Sequence, residues 1–341
     1  MQTIQLKAPY LIFVGDETSD HFAKTGAGIV EWRRSLCKGQ MNLKGGTVDL
    51  GLPSMTLKEA AEANVGSLII GTASIGGGIP NTWMDTLVEA LLEGIDIVAG
   101  VHTRLKDIPR LRKAAEQSGA RLVDVRIPPE NLPVGTGRKR AGKRLLTVGT
   151  DCGSGKKYTA LALEKDMKER GMNVDFRASG QTGIMIAGKG IPIDSVVVDF
   201  ISGAAELLSP DNDPEHWDII EGQGSIFHPG YSAVSMGLLV GSQPDAFIVC
   251  HEANRKFMMG WDHYILPTIQ EVIAQTIQIG KLTNKEIRCV GVSVNTSQLK
   301  PEERENYLDN LSKQIELPCV DPLKSGTQKL IDYLNTTFNN K

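Results

Sequence analysis

The sequence predicts an α/β fold with parallel sheets in two successive domains, and three observations predict it. Short apolar runs alternate with longer stretches of helical periodicity along the chain, the pattern of strand–helix–strand crossover units. One stretch, residues 127–137, breaks that pattern with three prolines and two glycines. Beyond it, an apolar run passes through a glycine-rich loop directly into a helix. The chain has 341 residues, about two domains at roughly 100–200 residues each.

In the first half, strands are expected at residues 10–14, 67–70, 96–99 and 121–125, with helices at 57–63, 82–92 and 108–117. The proline-rich segment then reads as an interdomain linker, because proline fixes φ and removes a backbone donor. This gives domains 1–137 and 138–341. Arg138, Lys139, Arg140, Lys143 and Arg144 follow the break. Their simplest reading is a solvated linker; the other is attraction for a phosphate-rich ligand. In the second half, strands are expected at 145–148, 174–177, 217–220, 246–250 and 289–294. Helices are expected at 156–170, 233–240, 267–278, 302–315 and 327–334. Residues 195–208 are ambiguous: Val196, Val197 and Val198 favour a strand, whereas Ala204 to Leu208 and the length favour a helix capped by Asp194.

Composition narrows the classes. Hydrophobic residues are 41% and charged residues 23% of the chain, which excludes disordered and fibrous proteins. A formal net charge of −3 argues against a general nucleic-acid binder. The N-terminus shows no secretory pattern, and no apolar run approaches the ~18 residues of a membrane span. The five cysteines form no CxxC pair and read as free thiols of a cytoplasmic protein. A homo-oligomer is the general expectation for soluble enzymes.

The chemistry concentrates in Gly149, Thr150, Asp151, Cys152, Gly153, Ser154, Gly155, Lys156, Lys157 and Tyr158. Glycines let the backbone wrap an anion, and a helix start supplies N–H donors and a positive dipole end. Lys156 adds a full charge. The usual phosphate loop has four residues between Gly and Gly-Lys, followed by a Ser or Thr for magnesium. Here there are five, between Gly149 and Gly155, and Lys157 stands in the hydroxyl's place. That favours anion binding without magnesium-dependent phosphoryl transfer.

In a parallel sheet, ligands gather beyond the carboxyl ends of the strands. Those ends carry Arg177, Gln181 and Thr182; Glu221 and Gln223; His251 and Arg255; and Asn295. Glu221 and His251 are candidate acid–base residues. Cys152 sits where a helix N-terminus lowers a thiol pKa, but no neighbouring histidine is legible for an acyl-cysteine route. His21, His102, His216, His228 and His263 lack metal-ligand spacing, so no metal is expected and each reads as structural. The run from Gly71 to Pro80 lines a strand end without the dinucleotide fingerprint.

The loop, together with Gly180-Gln181-Thr182-Gly183-Ile184-Met185-Ile186 and Glu221-Gly222-Gln223-Gly224-Ser225, resembles a two-domain bacterial family that includes the DgcN-type D-glutamate N-acetyltransferases. Asp16 with Ala23-Lys24-Thr25 resembles its N-terminal signature. The resemblance implies a Rossmann-like N-terminal domain and a P-loop NTPase-like C-terminal domain. It implies transfer of acetyl from acetyl-CoA to the amine of D-glutamate. Lys156 and Lys157 would then neutralise coenzyme A phosphates. Glu221 or His251 would take the amine proton, and the N–H groups of Gly222 and Gly224 would hold the oxyanion. Arg177 and Arg255 would bind the substrate carboxylates. The loop is also similar to that of dethiobiotin synthetase, so an ATP- and magnesium-dependent ligase is the alternative, and a nucleotide-binding module without turnover is a third.

Overall fold

The computed structural model describes residues 2–72 and 77–339. It divides into two compact units, Gln2–Ile127 with Gln181–Pro192, and Pro128–Gly180 with Ile193 onward. Of the glycine-rich run from Gly71 to Pro80, residues 73–76 lie outside the described residues.

The first unit begins with β1 (Gln2–Thr3), β2 (Tyr10–Gly15), α1 (Lys24–Arg33) and β3 (Cys37–Asn42). It continues through α2 (Leu57–Glu62), β4 (Ser67–Ile70), α3 (Met84–Leu92), β5 (Asp96–Ala99), α4 (Pro109–Ser118) and β6 (Leu122–Asp124). Its sheet runs β3-β2-β4-β5-β6, every pair parallel. Leu11, Ile12, Phe13, Val14, Leu68, Ile69 and Ile70 are all 0% exposed, as continuous apolar runs covered on both faces should be. The sequence reading omitted α1 and β3. Helix α1 carries two glycines, each costing about 1 kcal/mol of helix propensity. One is needed: a Cβ on Gly26 would stand 2.8 Å from Ile12 Cγ2.

The second unit opens with β7 (Lys143–Gly149), α5 (Lys156–Glu169) and β8 (Val174–Arg177). The chain then gives α6 (Gln181–Ala187) and β9 (Lys189–Gly190) to the first unit, where β9 pairs antiparallel with β1. It returns through α7 (Ile201–Leu208), β10 (Trp217–Ile220), α8 (Ser232–Ser242) and β11 (Ala246–Glu252). A hairpin, β12 (Phe257–Met258) with β13 (Trp261–Ile265), precedes α9 (Ile269–Gly280) and β14 (Arg288–Asn295). Then come α10 (Pro301–Ile315), β15 (Cys319–Val320) and α11 (Gln328–Asn339). The parallel sheet runs β15-β14-β11-β7-β10-β8. From β7 the chain passes to the edge strand β8, returns to β10 beside β7, and then crosses to β11 on the other side. The carboxyl end of β7 is therefore the switch point where such folds bind ligands.

Two expectations are corrected. Asp194 does not cap a helix over 195–208. Short 3-10 turns at Ile193–Ser195 and Val198–Phe200 come first, and α7 starts at Ile201. The stiff side chains of Val196, Val197 and Val198 disfavour an early helix start. Nor is the basic cluster a solvated linker. Arg144 is fully buried and donates to Ser209 Oγ and to the carbonyls of Arg140, Ala141, Gly142 and Pro210. Arg140 donates to the carbonyls of Gly241 and Ser242. Lys139, Arg138 and Lys143 pair with Asp245, Asp211 and Glu215. These charges brace the amino-terminal edge of the sheet. Among the described residues, no helix is long and apolar enough to cross a membrane.

Candidate active site

The loop between β7 and α5 closes as the sequence predicts. Gly155 adopts φ +100° immediately before the helix, a conformation that favours glycine. Lys156 Nζ donates to Asp151 O at 2.8 Å, and Ser154 Oγ donates to the same carbonyl at 3.0 Å. The first turn of α5 holds no acidic residue and begins Lys156-Lys157. Two cations at the positive end of a helix oppose its dipole, each by about 0.3–1 kcal/mol. An arriving anion reverses the sign of that interaction. Thr159 offers no substitute for the missing magnesium hydroxyl: it is fully buried, donates to Gly155 O, and lies 2.7 Å from Ser293 Oγ. Lys157 Nζ lies 4.7 Å from the centre of the Tyr158 ring.

Glu221 follows β10. Its Oε2 accepts the N–H groups of Ser179 at 3.1 Å and Gly180 at 3.0 Å. The side chain is buried, and burial pushes its pKa up to about 7, opposed by these N–H groups and by Lys157. Gln223 Nε2 donates to Ser179 Oγ at 2.8 Å, tying the turns after β8 and β10 together. His251 Nδ1 lies 3.2 Å from Thr150 Oγ1. Burial, and then the Arg255 charge, push its pKa down to about 4, so the ring is neutral at physiological pH. Arg255 clasps the loop, donating to Asp151 Oδ2 at 3.0 Å and Cys152 O at 2.8 Å, and it pairs with Glu252. The loop thus meets His251 through Thr150 and Arg255 through Asp151 and Cys152, and the Lys157 charge acts on Glu221, while Gln223 holds the turn after β8. Gln181 and Thr182 stand on α6 in the first unit, where Thr182 Oγ1 donates to Thr25 Oγ1.

Arg177 is a correction. Its Nε donates to Asp218 at 2.7 Å, with Asp175 at 3.6 Å, so the guanidinium turns back along the sheet, away from the strands' carboxyl ends. Asp218 also meets His216 and Ser209. Arg177 therefore belongs to a buried ionic network rather than to a carboxylate clamp. Replacing it with methionine strands the Asp218 charge and is expected to cost about 3–5 kcal/mol of stability. Activity per folded molecule should stay within about twofold, as thermal melts and steady-state kinetics would show. Gly222 is a second correction. Its N–H donates to Thr147 Oγ1 at 3.0 Å, so it is not free to hold an oxyanion. A Cβ there would sit 1.6 Å from Thr147 O, and that close approach requires glycine.

The sequence reading missed His228 as a site residue. It lies in the loop after β10, seven residues beyond Glu221, and is fully buried. One of its ring nitrogens, Cys152 Sγ and an Asp151 carboxylate oxygen lie within 4.8 Å of one another. Its place in the same post-strand loop as Glu221 was the available signal. As a metal centre the trio fits poorly. His228 Nδ1 accepts the Gly230 N–H at 3.1 Å, whereas a ligating histidine donates its second nitrogen's proton outward.

The sheet, switch point and loop define a P-loop α/β domain joined to a Rossmann-like one. Residues 133–331 match the family described as a domain of unknown function, DUF1611_C P-loop domain, and residues 41–128 match its Rossmann-like N-terminal domain. A crystal structure of a DUF1611 family protein from Anabaena variabilis superposes with a TM-score of 0.87 at 30% identity, covering 96% of this chain and 99% of that one. A D-glutamate N-acetyltransferase of Pseudoalteromonas sp is 45% identical over 96% of this chain and 99% of its own length. Another, from Tritonibacter scottomollicae, is 46% identical with the same coverage. The chain belongs to this DUF1611, D-glutamate N-acetyltransferase family.

Proposed function

We propose that this protein is an acyltransferase that moves acetyl from acetyl-CoA to the amine of D-glutamate. The observation that carries this function is the likeness, over nearly the whole length of both chains, to two D-glutamate N-acetyltransferases. The loop supports it chemically. Coenzyme A brings a diphosphate, which N–H groups at a helix start and the cations Lys156 and Lys157 can hold without hydrolysing anything. The acceptor amine arrives protonated. Glu221 takes that proton, and the nitrogen lone pair attacks the thioester carbonyl. Collapse of the tetrahedral intermediate breaks the carbon–sulfur bond, and the leaving thiolate takes up the second proton that the attacking nitrogen loses on becoming the amide. The residues that fit the roles are Gly149 to Tyr158 for the carrier and Glu221 for the base, with Gln223 and Arg255 holding the surrounding turns. Metal has no assigned role, and the enzyme works in the cytoplasm.

The test is thiol release from acetyl-CoA with D-glutamate and EDTA present and no ATP. The expected result is release stoichiometric with N-acetyl-D-glutamate. Absence of release above background removes the transferase function. Phosphate release requiring both magnesium and ATP would establish the ligase instead, and nucleotide binding without product would leave a binding module.

A further inference from the structure

A cavity of about 460 Å³ runs along α10, and its lining includes Asn254, Leu299, Glu303, Asn306, Tyr307 and Asn310. Small-molecule sites measure roughly 300–1,000 Å³. None of the fifteen residues of α10 is buried, so this wall is accessible to a ligand. The Asn254 end of the cavity lies at the carboxyl edge of the parallel sheet. Asn254 follows β11, and the N–H of its neighbour Ala253 donates to the carbonyl of Asn295, the last residue of β14, at 3.1 Å. Its other neighbour, Arg255, donates to Asp151 Oδ2 and Cys152 O in the phosphate loop. One peptide unit, about 3.8 Å between Cα atoms, therefore separates a cavity residue from a residue that touches the loop. Among the described residues the lining holds one carboxylate, Glu303, and no cation, which disfavours a phosphate or the D-glutamate carboxylates there. Asn306 and Asn310 stand one turn apart on α10, and Asn310 Nδ2 donates to Asn306 Oδ1 at 3.3 Å. That bond leaves the Asn306 NH₂ and the Asn310 carbonyl oxygen as a neighbouring donor and acceptor for a ligand.

We propose that this groove binds the adenine of coenzyme A. The proposal rests on the proposed function, with the diphosphate in the loop. Adenine is neutral, and it presents an amino donor beside a ring-nitrogen acceptor, the pattern that asparagine amides read. The amino group donates to Asn310 Oδ1, and the ring nitrogen accepts from Asn306 Nδ2. Tyr307 and Leu299 supply the aromatic and apolar contact that the face of a base takes. Only a ribose separates the base from the diphosphate, so the base has to lie close to the loop, as the Asn254 end of this cavity does. The other arm of the carrier, 4′-phosphopantetheine, carries no base and gains nothing from the groove.

The test is calorimetry with coenzyme A, ADP and 4′-phosphopantetheine. The parent should bind coenzyme A at least about tenfold more tightly than 4′-phosphopantetheine. The double variant Asn306→Ala/Asn310→Ala changes two exposed positions and places a strong helix former at each, so its melting temperature should not fall. It should lose about tenfold in affinity for coenzyme A and for ADP, and stay within about twofold for 4′-phosphopantetheine. Asn306→Gln/Asn310→Gln, which keeps both amides, should recover part of the loss. Equal losses for coenzyme A and 4′-phosphopantetheine, or no loss for coenzyme A and ADP, overturn the groove as the base site. Equal affinity of the parent for coenzyme A and 4′-phosphopantetheine overturns it without any mutation. If D-glutamate is acetylated while the alanine variant binds coenzyme A as the parent does, the groove alone is wrong. If coenzyme A does not bind the parent at all, the transferase function falls, and this assignment with it.

Discussion

Lys156→Ala is expected to weaken acetyl-CoA binding by roughly 10- to 100-fold, the equivalent of one charge-assisted hydrogen bond of about 1.5–3 kcal/mol. D-glutamate affinity should change by less than about twofold. The asymmetry follows from position. Lys156 is the first residue of α5 and only 8% exposed, so its charge is little screened by solvent. Its present partner, the Asp151 carbonyl at 2.8 Å, is neutral, and a phosphate oxygen is the better acceptor. The fold itself loses little. Removing one of two adjacent cations from the positive end of a helix relieves repulsion of about 0.3–1 kcal/mol, which offsets the lost bond to the carbonyl. Calorimetry with each substrate separately decides the matter. Equal losses for both, or a fall in melting temperature large enough to explain the loss, would sink this division of labour.

How much of this was legible in the sequence follows from the range of the interactions involved. The phosphate loop is local: ten consecutive residues, Gly149 to Tyr158, set its backbone, so reading it required no knowledge of distant contacts. The strands β8 and β10 are bounded as the apolar runs predict, at Val174–Arg177 and Trp217–Ile220. Side-chain direction is a different matter. Arg177 sits at a strand's carboxyl end, where a cation suggests a ligand, but Asp218, 41 residues later, turns it back into the sheet. The Gly222 N–H is taken by Thr147, 75 residues earlier. His228 looked structural because a histidine with no spaced partners usually is, and its neighbours Asp151 and Cys152 come from the loop after β7, far away in sequence. The basic cluster shows the same limit. Its charges have acceptors scattered from Ser209 to Asp245, and no local pattern announces them. Helix α6 was missed for a related reason: its seven residues make less than two full turns of helix and include a glycine, so tertiary packing, not propensity, holds it.

Glu221→Gln is expected to reduce kcat by about 10²–10⁴-fold, the range for removal of a general base, and to abolish the pH dependence near neutrality. The active form is the carboxylate. With its pKa pushed up to about 7 by burial, kcat/KM should rise about tenfold per pH unit below that point and level off above it. The substitution preserves the fold's hydrogen bonds, because both the Ser179 and Gly180 N–H groups reach the same oxygen, and an amide oxygen accepts two. His251 cannot produce the same limb, since its ring titrates about 4. Stability should move oppositely to activity. A carboxyl whose folded pKa is raised binds its proton more tightly in the native state. Its contribution is therefore full below the unfolded value of 4.5 and is lost as pH rises through about 7. That loss amounts to about 3 kcal/mol, and the glutamine variant does not suffer it. Glu221→Gln should thus melt at the same temperature as the parent at pH 4 and measurably higher at pH 8, while being nearly inactive. A variant that keeps the activity limb near pH 7 would place the base elsewhere. One that is inactive but no more stable at pH 8 would mean that Glu221 is not held protonated by burial.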